Sequence, residues 1–279
     1  MTDTSSPAID RDAAAALMEP LTELVAQAGA AILAIDRSGM RVDDKSDGSP
    51  VTAADMAADR IIADGLKRIA PRIPALSEER THLAARPYKN SFFLVDPLDG
   101  TKEFVAGRDE FTVNVALITH GKPLLGIIAA PALGLIWRGL VGRSTERLPM
   151  TRDGQTGPAH TIRTRAHPGP GQPWVAAVSR SHGDPRSEAF ISARPGAVRR
   201  ALGSAVKFGR IAEGEADIYP RLSPTSEWDV AAGHAVVTAA GGKITDGNGA
   251  PLCFGEARED FLVPEFIAWG DPAASLVKL

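Results

Sequence analysis

The sequence predicts a mixed α+β protein in two lobes, on three observations. Two long stretches rich in Ala, with Leu and Ile recurring, carry helical spacing. Short apolar runs bounded by turn residues read as strands. Between Thr151 and Pro173 the chain is dense in Gly, Pro, Thr and Arg with no apolar period, which divides it into residues 1–150 and 151–279.

Taken in order, Ala13 to Ile35 and Val51 to Ile69 predict two amphipathic helices separated by the polar Asp47-Gly48-Ser49-Pro50 turn. Ser91 to Val95 predicts a short buried strand that stops at Asp96-Pro97, because proline ends ladder pairing. Phe111 to Thr119 and Pro123 to Ala130 predict strands joined in a hairpin through His120-Gly121-Lys122. Beyond the break come a strand over Trp174 to Ser179, a polar stretch through His182, and helices near Pro185 to Ala193 and Ser204 to Glu213. Trp228 to Ala240 predicts the last helix, ended by Gly241-Gly242, with strands on both sides.

The 279 residues and 44% apolar content suffice for a continuous core. With 31 basic and 34 acidic residues interspersed, the net charge of −3 gives no general attraction to a nucleic acid polymer or an anionic membrane, so local groups must hold any polyanionic ligand. A single cysteine, Cys253, forms no internal disulfide and reads as a free core thiol, which fits a reducing compartment. Met1 to Asp12 is polar and acidic, unlike a secretory leader. No stretch approaches the ~20 apolar residues of a transmembrane segment. A cytoplasmic protein is expected, with peripheral contact at the inner membrane left open.

The most informative segment is Asp96-Pro97-Leu98-Asp99-Gly100-Thr101. Two carboxylates three residues apart on a turn opened by proline and closed by glycine can point the same way, and a divalent cation relieves their repulsion. Leu98 can add its carbonyl. Oxygen donors of this kind suit Mg²⁺, and the lack of Cys/His clustering argues against structural zinc. Ser77-Glu78-Glu79 and Asp229 are further acidic candidates. Singly, Glu78-Glu79 is an ordinary solvated pair, while Asp229 and Asp55 are helix N-terminal charges.

Together, residues 49–55 (Ser-Pro-Val-Thr-Ala-Ala-Asp), 77–79 (Ser-Glu-Glu), 96–104 (Asp-Pro-Leu-Asp-Gly-Thr-Lys-Glu-Phe) and 227–233 (Glu-Trp-Asp-Val-Ala-Ala-Gly) resemble, in order and spacing, the motifs of the inositol monophosphatase superfamily, lithium-sensitive metal-dependent phosphatases. Lys102-Glu103-Phe104, residues 110–114, Ser179 to His182, residues 203–208 and Tyr219-Pro220-Arg221 are most similar to its 3′(2′),5′-bisphosphate nucleotidase branch.

The resemblance implies a layered α/β/α/β/α sandwich and hydrolysis of adenosine 3′,5′-bisphosphate to AMP, with a place in sulfur assimilation and the sulfated analogue PAPS as a second substrate. It implies two or three Mg²⁺ ions: Glu78, Asp96 and the Leu98 carbonyl on one, Asp96, Asp99 and Asp229 on a second, and Asp55 helping with a third. Glu78 and Thr101 would orient the attacking water. Asp99, Gly100, Thr101, Lys102 and Asp229 would line the phosphate site, and His182, Ser204, Lys207 and Arg221 would contact the nucleotide. The chain departs at Gly203-Ser204-Ala205, where many relatives carry a second serine.

Water is the expected nucleophile, since no Ser-His pair adjoins the acidic turn. The alternatives are a phosphatase for inositol monophosphate or another sugar or alcohol phosphate, and a binding protein that has lost activity. A monomer or homodimer is expected.

Overall fold

The structure, a computed structural model, describes residues 6–37, 42–44, 50–83, 90–181, 183–194, 196–255 and 261–276. Helix α1 (Arg11–Ala34) begins where the Asp10 carboxylate accepts the Ala13 N–H at 2.8 Å. It is long and apolar enough to cross a membrane by composition, which the sequence reading did not anticipate, yet half of that stretch is buried inside the protein. Leu21, Val25, Ala28 and Ile32 supply the buried side. Strands β1 (Val42–Asp44) and β2 (Pro50–Thr52) pair antiparallel and lead into α2 (Ala53–Ile69). Thr52 and Asp55 form a reciprocal capping box at its start.

Strands β3 (Ala75–Ser77), β4 (Ser91–Asp99), β5 (Thr112–Thr119), β6 (Lys122–Ala130), β7 (Leu135–Leu140), β8 (Ser144–Pro149) and β9 (His160–Thr161) form a seven-stranded sheet in sequence order. Only β3 and β4 are parallel. The short helix α3 (Thr101–Val105) leaves the end of β4. The predicted His120-Gly121 turn is present with positive φ at both residues, the conformation that closes a two-residue hairpin.

Strand β4 does not stop at Pro97 as the sequence predicts. Its pairing with β5 holds through Asp96 opposite Asn114, loses register, and resumes at Asp99 opposite Thr112. Pro97 falls in that irregularity, where its missing N–H costs no ladder bond.

The remaining elements are β10 (Val175–Ser179), α4 (Pro185–Ser192), β11 (Val198–Leu202), α5 (Val206–Ala212), β12 (Ile218–Arg221), β13 (Thr225–Ser226), α6 (Glu227–Ala239), β14 (Lys243–Thr245), β15 (Leu262–Val263) and β16 (Phe266–Trp269). A five-stranded sheet has the order β11-β10-β12-β16-β14. Helix α5 starts two residues later than predicted, because Ser204 has φ +54 and cannot be helical.

The layers follow from alternation along the strands. Phe93, Val95, Val113, Val115 and Leu117 face α1 and α2, whereas Phe92, Leu94, Ala116 and Ile118 share a second core with α5, α6 and Phe266. Beyond the second sheet, Ile218, Ile267 and Trp269 pack with Ile191 of α4. The result is the expected α/β/α/β/α arrangement.

Helix α6 packs directly on the backbone of the first sheet at two glycines. Gly126 and Gly139 are paired across β6 and β7, and a Cβ at Gly126 would sit 2.3 Å from the Ala232 carbonyl oxygen of α6. Cys253 corrects one sequence expectation: it is exposed, not a core thiol, and lies in the irregular segment after β14, beside Gly121.

Candidate active site

Ser77 of β3 lies opposite Val95 of β4 in parallel register. The next residues, Glu78 just past the end of β3 and Asp96 still within β4, therefore lie side by side. Asp96 is 1% exposed, and its Oδ1 accepts the Leu98 N–H at 3.0 Å, a local bond that shapes the turn. Gly100 then adopts φ +92, a left-handed conformation that favours glycine and redirects the chain into α3. Asp99 Oδ2 lies 3.4 Å from both the Thr112 hydroxyl and the Asn114 amide of β5.

Asp229 arrives from the opposite side at the third position of α6, where it receives the Ser226 N–H at 3.3 Å and the Thr225 hydroxyl. One ligand oxygen each of Asp96, Asp99 and Asp229 lie within 4.8 Å of one another. Burial, and then the charge of Asp99, hold the Asp229 carboxyl well above the usual carboxylate range, against the Thr225 hydroxyl and Arg221. Three carboxylates gathered at this spacing, with a nearby main-chain carbonyl at Leu98, fit a hard divalent cation.

Asp55 stands behind the turn. Its Oδ2 accepts the Thr52 N–H at 2.7 Å and the Thr52 hydroxyl at 2.6 Å. Its Oδ1 is 3.0 Å from the Thr101 hydroxyl, which also lies 3.2 Å from the Leu98 carbonyl oxygen.

The other wall is basic. Ser204 donates to the Asp99 carbonyl oxygen at 2.6 Å and lies 2.9 Å from the Thr112 hydroxyl, tying the segment before α5 to the acidic turn. Lys207 is 3% exposed; its Nζ donates to the Ser204 carbonyl at 2.7 Å and sits 5.1 Å from the Tyr219 ring centre. Burial pushes its ammonium down to about 8, with Asp99 pulling the other way. Burial also opposes the charge of Arg221, but Tyr219, Asp229 and Asp99 outweigh it and hold the guanidinium above its ordinary value.

Glu78, Asp96, Leu98, Asp99, Gly100, Thr101, Lys102, Ser204, Lys207, Arg221 and Asp229 all line one cavity of about 230 Å³. Of the remaining sequence candidates, Asp55 reaches this cavity only through Thr101, and His182 lies outside the described residues. Glu103, Thr225 and Tyr219 also line the cavity without having been singled out for a role. Glu103 is 4% exposed and accepts the Ser181 hydroxyl. Thr225 bonds Asp229, and Tyr219 floors Lys207. A buried glutamate on a short helix gives a sequence signal no different from a solvated one; Thr225, four residues before Asp229, was the most recoverable.

Residues 13–269 match the model of the inositol monophosphatase family. The chain belongs to this family. Membership brings with it the enzyme class, a metal-dependent phosphatase. Among curated proteins, the 3′(2′),5′-bisphosphate nucleotidase CysQ of Escherichia coli strain K12 is 40% identical over 253 residues, covering 90% of this chain and 98% of the relative. The same-named protein of Buchnera aphidicola is 36% identical over 90% of this chain and 93% of its own. Among solved structures, CysQ of Bacteroides thetaiotaomicron superposes with a TM-score of 0.73 at 31% identity, covering 90% of this chain and 96% of the other. An inositol monophosphatase of Zymomonas mobilis gives 0.71 at 27%, covering 93% and 95%.

Proposed function

We propose that this member of the inositol monophosphatase family hydrolyses adenosine 3′,5′-bisphosphate to AMP and phosphate with Mg²⁺. The observation that carries the proposal is the pairing of two unlike walls in one cavity: Asp96, Asp99 and Asp229 on one side, and Lys207 with Arg221 on the other. A monophosphate needs the acidic wall and its cations. A second phosphate on the same ligand gives the buried lysine and the arginine an anionic partner. The 40% identity to bisphosphate nucleotidases supports the same substrate, and PAPS presents an equivalent 3′-phosphate.

Next to this cavity, and sharing Ser179, Tyr219 and Arg221 with it, is a second cavity of about 340 Å³ lined also by Val178, Pro185 and Ile191. Its mixed apolar and polar lining suits a nucleoside. Arg221 stands between the two, where its guanidinium can meet a phosphate while the nucleoside extends beyond.

Bound Mg²⁺ would supply charge neutralisation and an acidified water. The chain's own groups divide the remaining work. Asp96, Asp99, Asp229, Glu78 and the Leu98 carbonyl would hold two ions, with Asp55 contributing to a third. The Thr101 hydroxyl, within bonding distance of Asp55 Oδ1, can accept a proton from water as it releases its own toward that carboxylate. Glu78, on the same cavity wall, can orient the water. Main-chain N–H groups of Gly100 and Thr101, at the start of α3, can donate to the phosphate. In this scheme the residues before 150 carry most cation ligands, and those after 150 carry Asp229 and the nucleotide contacts.

Comparing phosphate release from adenosine 3′,5′-bisphosphate and from inositol 1-phosphate under saturating Mg²⁺ tests the substrate. A higher kcat/KM for the bisphosphate is expected. Preference for inositol 1-phosphate would overturn the assignment, and binding without release of phosphate from either would indicate a non-catalytic homologue.

A further inference from the structure

One turn beyond Asp55, α2 presents a second buried carboxylate that no step of the chemistry uses. Asp59 is 2% exposed. Its two oxygens are divided between two partners: Oδ1 accepts the Ser77 hydroxyl at 2.7 Å, and Oδ2 accepts Arg80 Nε at 2.6 Å. Ser77 and Arg80 bracket Glu78 and Glu79 in the chain.

That segment needs outside support. Strand β3 is three residues long and lies at the edge of its sheet, paired only with β4. The 3-10 segment that follows it, Glu78–Leu83, is broken at Arg80, where φ −130 and ψ 24 leave the helical region. The ladder thus ends at Ser77, and the 3-10 turn that begins at Glu78 is interrupted two residues on. A single carboxylate gripping the residue before Glu78 and the one two places after it restricts both the exit angle of the strand and the position of the kink. The arrangement repeats the one a turn earlier, where Asp55 holds Thr101.

We propose that Asp59 is a positioning residue for Glu78, acting through Ser77 and Arg80 to hold the Glu78 carboxylate at the acidic cavity. The proposal rests on Glu78 being a cation ligand, as argued above. Groups that orient metal ligands from behind commonly change metal affinity by 10–100-fold when removed, whereas a carboxylate that merely staples α2 to β3 would change only stability.

The test is calorimetric titration of Mg²⁺ into the full-length protein, with melting temperature and steady-state kinetics measured on the same samples. Asp59→Asn is expected to weaken Mg²⁺ binding by about tenfold and to raise the Mg²⁺ concentration for half-maximal phosphate release equally. KM for adenosine 3′,5′-bisphosphate at saturating Mg²⁺ should stay unchanged. Ser77→Ala, which leaves the ion pair with Arg80 in place, should weaken Mg²⁺ binding by less, and it decides the matter if Asp59→Asn does not fold. A lower melting temperature with wild-type Mg²⁺ affinity in the folded variants would overturn the proposal. Glu78→Gln separates the two claims. If it leaves Mg²⁺ affinity unchanged, the ligand role of Glu78 fails; if it weakens binding while the Asp59 and Ser77 variants do not, only the positioning role fails.

Discussion

Among the described residues, Ser77 and Val95 are partners in the only parallel pairing of the seven-stranded sheet, so Glu78, just past β3, and Asp96, near the end of β4, come side by side. Every other neighbouring pair in that sheet is antiparallel and would place successive strand ends at opposite edges. The parallel pair is what lets two segments contribute acidic groups to one edge, to which α6 adds Asp229.

Asp96 is central to this cluster. Asp96→Asn is expected to lower kcat by at least about 10²-fold, with far-ultraviolet dichroism unchanged. Removing one charge from a crowded group of carboxylates should also leave the cation-free melting temperature equal or higher. Near-normal phosphate release by this variant would contradict a ligand role.

Lys207 gives a pH dependence with a definite sign. Its ammonium, pushed down to about 8 by burial, is charged below that pH and neutral above it. Attraction for a second phosphate is therefore lost as pH rises through about 8, and KM for the bisphosphate should climb there while KM for a monophosphate does not. Lys207→Met should remove the rise and weaken the bisphosphate by roughly 10–100-fold. Equal losses for both substrates would place Lys207 outside the nucleotide contact.

His234 of α6 supplies a pH effect on stability. Burial beside Phe254 pushes its imidazole down to about 4 from an ordinary value near 6.5. Above pH 6.5 neither the folded nor the unfolded chain protonates it. Between 6.5 and 4 the unfolded chain binds the proton and the folded one does not, so stability falls as pH falls across that window, by up to about 3 kcal/mol. In denaturant titrations at pH 7 and pH 4.5, His234→Gln should show a smaller drop than the wild type.

Gly126 tests how α6 is seated. A Cβ there meets the Ala232 carbonyl oxygen at 2.3 Å, so Gly126→Ala must push the helix off the sheet. A cost of about 1–3 kcal/mol is expected. Because α6 carries Asp229, Mg²⁺ affinity should fall as well. A destabilised variant with unchanged Mg²⁺ affinity would separate helix seating from the acidic cluster.

Much of this was legible in the sequence because helical periodicity and turn chemistry are local. The spans of α1, α2, α4 and α6 and the β5–β6 hairpin came within about two residues of their observed bounds. Pro97 misled, since the rule that proline ends a strand holds for a regular ladder and β4 has an irregularity at that point. Ser204 misled similarly: nothing local reveals that its backbone turns left-handed to bond the Asp99 carbonyl. Strands β7 and β8 carry Arg138, Glu146 and Arg147, charges that blur an apolar alternation. Arg138 is nonetheless 5% exposed because Glu19 of α1 and Glu146 both accept from it at 2.7 Å.

For the site, the acidic turn announced itself by cost: two carboxylates so close need a reason. Asp229 did not, because a helix N-terminal aspartate is common, and only the match of four ordered motifs to a family tied it to Asp96 and Asp99. Asp59 and Glu103 were invisible for the converse reason. Their burial depends on partners that are distant in the chain, Ser77 with Arg80 and Ser181.

The most direct measurement is the anomalous difference map of a crystal soaked in Mn²⁺ as a stand-in for Mg²⁺. At least one peak coordinated jointly by Asp96, Asp99 and Asp229 is expected, absent from the Asp96→Asn protein. A fully active enzyme whose map shows no ion among those three carboxylates would contradict it.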